Sequence, residues 1–122
     1  MSVQAYTTQQ NRMESPRQIE YRAFGVVTSA LVRHAANPAS LEFATACYDN
    51  KRLWITLQGD LATEGNGLPP ELRAALISIA IWAIRHTGQV ERGLAPIEPL
   101  IAVNRTIMQG LAEAGPATDA PA

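Results

Sequence analysis

The stretch FATACYDNKRLWITLQGDL, residues 43–61, decides the fold of this chain. Its apolar side chains recur at alternating steps of four and three residues, the spacing that places side chains on one face of an α-helix. A seam of this length has to be covered by other helices, so the stretch predicts a long helix inside a helical bundle. The members of the seam, one of them polar, are Phe43, Cys47, Asn50, Trp54, Leu57 and Leu61.

The flanking residues predict where this helix begins and ends. Asn37 is expected to cap its start, with Pro38 in the first turn, because these residue types suit those two positions. A cluster of turn-forming residues at 64–69 is expected to end it. The sequence therefore predicts a helix over 38–62.

Three further stretches have helical spacing. Ser15 is expected to cap a first helix over 16–34, with Pro16 in its first position. A third helix, apolar nearly all round, is predicted over 70–88. A fourth is predicted over 97–111, with Asn104 on its apolar stripe. No stretch alternates as a strand would, so we expect an all-α fold, a small antiparallel bundle of four main helices with short connections.

The composition fits one small helical domain. The chain has 122 residues, so residues 15–111 are expected to form a single domain. The polar residues 1–14 are expected to be mobile or partly helical, and residues 112–122 to be a disordered tail. No segment resembles a signal peptide or a membrane span, so we expect a cytoplasmic protein with no membrane contact.

Charge and chemistry exclude several classes of function. Ten basic and eleven acidic residues leave a net charge of −1, without the local basic excess that nucleic-acid binding requires. The two histidines, His34 and His86, are far apart, and Cys47 lies on the apolar seam, where an inert thiol is expected. No phosphate-binding loop is present. We therefore expect no enzyme, no cofactor and no metal site.

Four blocks of sequence resemble one protein family. They are ESPRQIE at 14–20, NKRLW at 50–54, LISIAIW at 76–82 and VNRTIMQGL at 103–111. In this order they resemble the FlaF family of alphaproteobacterial flagellar regulators, over about residues 5–111. The segment at 37–40 is a possible departure, because it shortens the first connection relative to many members.

The resemblance implies a small cytoplasmic regulator of flagellin synthesis and flagellum assembly. Members of the family are described as binding flagellin in the manner of a secretion chaperone and as opposing the translational repressor FlbT. Flagellin is thus the implied partner, with an FlbT-like protein as a second one, and no cofactor is implied. Two alternatives stay open: an RNA-binding regulator of flagellin mRNA, and a self-associating structural adaptor. The oligomeric state is left undetermined.

The third predicted helix has more apolar surface than one neighbouring helix can cover, so it is expected to contribute an exposed apolar groove that binds flagellin. Trp82 suits a binding anchor and core packing about equally, whereas Trp54, in register with the seam, is interpreted as core. A polar Asn50 or Asn104 either bonds a neighbouring helix or faces an open groove. The candidates for partner binding are Leu76, Ile77, Ile81, Trp82, Ile84 and Asn104; the candidates for structural roles are Ser15, Pro16, Asn50 and Trp54.

Overall fold

The computed structural model describes residues 16–114, with the side chains of 18–110. Four helices occupy the described part: α1 over Pro16–His34, α2 over Leu41–Ala62, α3 over Pro70–Glu91 and α4 over Glu98–Ala114. No strand occurs between residues 16 and 114, which confirms the all-α prediction. The predictions for residues 1–14, for Ser15 as a cap and for 115–122 lie outside the described residues. Helix α4 itself continues three residues past its predicted end at 111.

The predicted start of α2 is wrong by three residues. Ser40, not Asn37, is the N-cap: its Oγ accepts a hydrogen bond from the backbone N–H of Phe43 at 3.1 Å. The Ser40 hydroxyl and backbone N–H both donate to the carbonyl of Asn37, at 2.7 and 3.0 Å. Residues 37–40 therefore form a turn that ends in the cap, and the helix begins at Leu41 instead of 38.

Helix α3 extends to Glu91, past the predicted 88, and ends in a glycine motif. The N–H of Gly93 donates to the Val90 carbonyl at 3.0 Å, and the N–H of Leu94 donates to the Gln89 carbonyl at 2.8 Å. Gly93 has a φ of +73°, the left-handed conformation that this pair of bonds requires. Since Gly88 lies inside the helix, Gly93 is the residue that terminates it.

The helices pack as an antiparallel bundle that is open on one side. Helix α2 packs on α1 and α3, and α1 packs on α4, whereas α3 and α4 contact each other much less. The end of α2 meets the start of α3, where Arg73 Nε donates to the Leu61 carbonyl at 2.9 Å. At the other end of this pair, Lys51 forms an ion pair with Glu91 at 3.0 Å. These contacts place α2 and α3 side by side in opposite directions.

Trp54 lies at the centre of the core and is fully buried. The ring of Phe24 from α1 meets it edge to face, with the ring centroids 5.3 Å apart. Of the predicted seam, only Leu57 is partly exposed. The other members are buried: Phe43, Cys47, Asn50, Trp54 and Leu61.

Candidate functional site

A buried network of polar side chains joins all four helices. Asn104 of α4 donates through Nδ2 to Thr28 Oγ1 of α1 at 3.0 Å and to Asn50 Oδ1 of α2 at 2.8 Å. Its Oδ1 accepts the indole N–H of Trp54 at 2.9 Å. Asn50 in turn donates to Thr87 Oγ1 of α3 at 3.2 Å. The network therefore fixes the position of each helix relative to the other three.

This network gives the two seam asparagines a structural role. Asn50 and Asn104 are completely buried, and no buried polar side-chain atom of the described residues lacks a hydrogen-bond partner. Burial of an amide without partners costs roughly 1–3 kcal/mol, and the network removes that cost. The assignment of Asn104 to a partner-binding surface is thus corrected: in this fold its amide faces the core and not a groove.

An apolar groove opens where α3 diverges from α4. It has a volume of about 390 Å³ and lies at the end of the bundle where α1 begins and α2 ends. Phe24 and Leu61 are buried at its base, while Leu72 is 45% exposed. We call this feature the end groove. Its larger apolar lining residues are Phe24, Leu57, Leu61, Leu68, Leu72, Leu76 and Ile107.

The connection between α2 and α3 holds one wall of the end groove in place. Arg73 donates to the carbonyl of Leu61 in the last turn of α2 and to that of Thr63, the C-cap residue. Asn66 donates to the Asp60 carbonyl at 3.2 Å and accepts from the Leu68 N–H at 3.3 Å. Gly67 takes a φ of +91°, a conformation that other residues rarely adopt. The start of α3 is therefore positioned by several hydrogen bonds to the end of α2.

The charged residues that line the end groove are both acidic. Among the residues whose side chains the structure describes, Glu20 of α1 and Asp60 of α2 contribute to the lining, and no basic residue does. The described lining also contains no cysteine or histidine. Its chemistry is suited to burial of apolar surface, and its acidic rim favours a ligand without exposed negative charge.

The candidate partner residues of α3 lie on different surfaces. Leu76 lines the end groove, but Ile77, Ile81, Trp82 and Ile84 do not. Trp82 is 40% exposed and stacks on His86, with the ring centroids 4.7 Å apart.

The surroundings of Trp82 place it far from the mouth of the groove. His86 Nε2 donates to the Pro96 carbonyl at 2.8 Å, so Trp82 lies towards the α3–α4 connection. The sequence did not identify the groove residues that come from the other helices. These residues belong to apolar stripes, but core residues belong to the same stripes, so spacing alone does not distinguish a groove residue from a core residue.

The remaining reactive group is buried. Burial raises the pKa of the Cys47 thiol to about 11, with a further increase from Glu91 and an opposing effect of Lys51. Cys47 is completely enclosed, so it has no access to a substrate. Within residues 16–114 no three histidine, cysteine or acidic side chains converge as metal ligands would, and none of the helices there is long and apolar enough to cross a membrane.

Comparison with known proteins gives one match. A family model described as "Flagellar protein FlaF" matches residues 2–111, nearly the whole chain. Comparisons with curated proteins and with solved structures found no match. The match includes residues 2–15 at one end and stops short of the last eleven residues at the other.

Proposed function

The chain belongs to the FlaF family of flagellar proteins, and from this we propose that it regulates flagellin synthesis and flagellum assembly in the cytoplasm by binding unassembled flagellin. In this proposal the protein acts in the manner of a secretion chaperone and opposes the translational repressor FlbT. The observation that supports flagellin binding most directly is the end groove, an apolar cleft that no helix among residues 16–114 fills.

The groove is suited to one face of an amphipathic helix. Its walls come from α3 and α4, with α1 and α2 forming the base, so an added helix would complete the packing of the bundle on its open side. Each leucine-sized side chain that a client moves out of water contributes roughly 2 kcal/mol. Ordering of the client segment offsets roughly 2–5 kcal/mol of that gain. Three or four buried client side chains therefore leave a net gain of about 1–6 kcal/mol, from which the entropy of association still has to be subtracted, so the groove by itself predicts weak and reversible binding.

The test is a calorimetric titration of the purified protein with monomeric flagellin. Leu72→Glu places a carboxylate at the apolar rim of the groove, beside Glu20 and Asp60, and is expected to weaken binding at least about tenfold. Ile81→Glu is the matched control, because Ile81 lies on the same helix, is 42% exposed against 45% for Leu72, and is outside the groove. We expect Ile81→Glu to bind flagellin as the unmodified protein does.

The same titration separates the alternatives. Apolar burial predicts a negative heat-capacity change and a weak dependence on salt. If flagellin does not bind, or if Leu72→Glu and Ile81→Glu lower the affinity for flagellin equally, the groove is not the flagellin site. Binding of flagellin leader RNA that falls steeply with salt would support the RNA-regulator alternative instead. Addition of FlbT to the flagellin complex tests whether the two regulators compete.

A further inference from the structure

A second apolar surface lies on the outer side of α2 and α3, away from the end groove. On α2 an exposed apolar residue recurs every seven positions: Leu41, Tyr48 and Ile55 are 78%, 56% and 49% exposed. Seven residues are two helical turns, so these side chains follow one line along the helix. On α3, Ile77, Ile81 and Ile84 follow a similar line, which lies about a third of a turn away from the buried residues of that helix.

The contacts between α2 and α3 set these two lines side by side. Asn50 bonds Thr87, and Leu61 bonds Arg73, in an antiparallel pair. Counting along both helices from these two contacts places Ile55 level with residues 79–82 of α3, a range that includes Ile81. We call this surface the α2–α3 face; it consists of the exposed Tyr48, Ile55 and Ile81 and the half-buried Ile77 and Ile84, the last of which also packs against the core.

Arginines border the α2–α3 face. Arg52 extends over the ring of Tyr48, with its guanidinium carbon 5.8 Å from the ring centroid. The helical period places Arg85 on the same outer side of α3, and Arg92 follows the helix as its C-cap residue. All three are exposed, and none of them takes part in an ion pair within the described part of the chain.

The acidic residues near this face do not cancel the positive charge. Glu91 is paired with Lys51 at 3.0 Å, so these two residues together are neutral. The acidic residues of α2, Glu42, Asp49 and Asp60, lie about a quarter turn or more from the line of Tyr48 and Ile55. The α2–α3 face is thus apolar with a positive rim, whereas the end groove is apolar with acidic residues in its lining.

We propose that the α2–α3 face binds an acidic amphipathic helix of a partner protein, separately from the client in the end groove. An apolar stripe on that helix would cover Ile55 and Ile81, and its flanking carboxylates would lie beside Arg52 and Arg85. A second copy of this chain fits poorly, because a symmetric contact through this face brings arginines opposite arginines. RNA fits poorly too, because the centre of the face is aliphatic and offers a single aromatic ring for base stacking.

Two helical peptides test the proposal on the full chain. The first has leucines at helical spacing flanked by glutamates; the second is identical except that each glutamate is lysine. We expect the acidic peptide to bind at least about tenfold more tightly. In NMR spectra of the ¹⁵N-labelled protein it should shift the amide signals around Tyr48, Ile55 and Ile81 and leave those of the end groove unchanged. This comparison needs no variant and so does not depend on the stability of one.

Variants then identify the surface. The double reversal Arg52→Glu with Arg85→Glu should invert the preference, so that the lysine peptide binds more tightly than the acidic one. Ile81→Glu should lower the affinity for the acidic peptide at least about tenfold. Val26→Glu, on α1 and 67% exposed in the unmodified protein, should leave binding unchanged, as should Leu72→Glu in the groove.

Four results would overturn the proposal. They are equal affinity for the two peptides, shifts confined to the end groove, displacement of the acidic peptide by single-stranded RNA, and a dimer in sedimentation that Ile81→Glu dissociates. None of these results bears on flagellin binding by the end groove. Conversely, loss of flagellin binding in Leu72→Glu leaves the peptide experiment unaffected, so the two proposals fail separately.

Discussion

Replacement of Asn104 by alanine tests the role of the polar network in the stability of the bundle. The change deletes three hydrogen bonds at once, to Thr28, Asn50 and Trp54. Two groups are left buried without a partner, the indole N–H of Trp54 and Oδ1 of Asn50. The Thr28 hydroxyl is less affected, because it can rotate to a carbonyl of its own helix.

The expected loss follows from these two orphaned groups. Each costs roughly 1–3 kcal/mol, so the free energy of unfolding should fall by about 4 kcal/mol. A domain of this size has a total stability of about 5–15 kcal/mol, so the variant should stay folded with about 1–11 kcal/mol of stability left. Urea denaturation followed by far-UV circular dichroism measures the change, which should appear as a lower midpoint at an unchanged m-value.

A matched control and a mutant cycle make the result decisive. Gln109→Ala removes an amide from the exposed side of the same helix and should change stability by less than about 0.5 kcal/mol. Trp54→Phe removes the partner N–H, so combining it with Asn104→Ala should cost less than the sum of the single changes. If Asn104→Ala costs under about 1 kcal/mol, or if the cycle is additive, the network does not hold the helices together.

Four other changes test local features. Burial raises the pKa of Cys47 to about 11, so the fold favours the neutral thiol. The free energy of unfolding that this preference contributes is complete below pH 9 and is lost as the pH rises towards 11. Urea titrations at alkaline pH should show this loss in the unmodified protein and not in Cys47→Ala. Gly59→Ala, in an open helical position, should raise the free energy of unfolding by roughly 0.5–1 kcal/mol. Gly67→Ala, at φ +91°, should lower it by about 1–2 kcal/mol. Ser40→Ala should lower the thermal midpoint through the loss of about 1 kcal/mol of capping energy, and an unchanged midpoint would contradict Ser40 as the cap.

The sequence predicted what depends on local spacing. The seam from Phe43 to Leu61 indicates α2 and its buried face, since the apolar period of one helix is visible without knowledge of its neighbours. The start of α2 was missed because Asn37 and Ser40 are both good caps, and only the hydrogen bonds of the turn between them distinguish the two.

The groove and the role of Asn104 depend on contacts between distant parts of the chain. Asn104 meets Trp54 fifty residues away, and its spacing alone fits a core residue as well as a groove residue. The end groove combines side chains from all four helices, and its existence depends on the divergence of α3 from α4. No period within one helix encodes that divergence, so Leu57 and Ile107 carried no sign of a site.

The buried network draws on two of the four sequence blocks that resemble the family. The block at 50–54 contributes Asn50 and Trp54 to the network, and the block at 103–111 contributes Asn104. These residues join α2 to α4 inside the bundle, so these two blocks contribute to how the helices pack. The surfaces available to partners, the end groove and the α2–α3 face, are formed mainly by aliphatic residues around that packing. Changes such as Leu72→Glu or Ile81→Glu should therefore alter partner binding while the network and the fold stay intact, whereas Asn104→Ala should chiefly lower the stability of the fold.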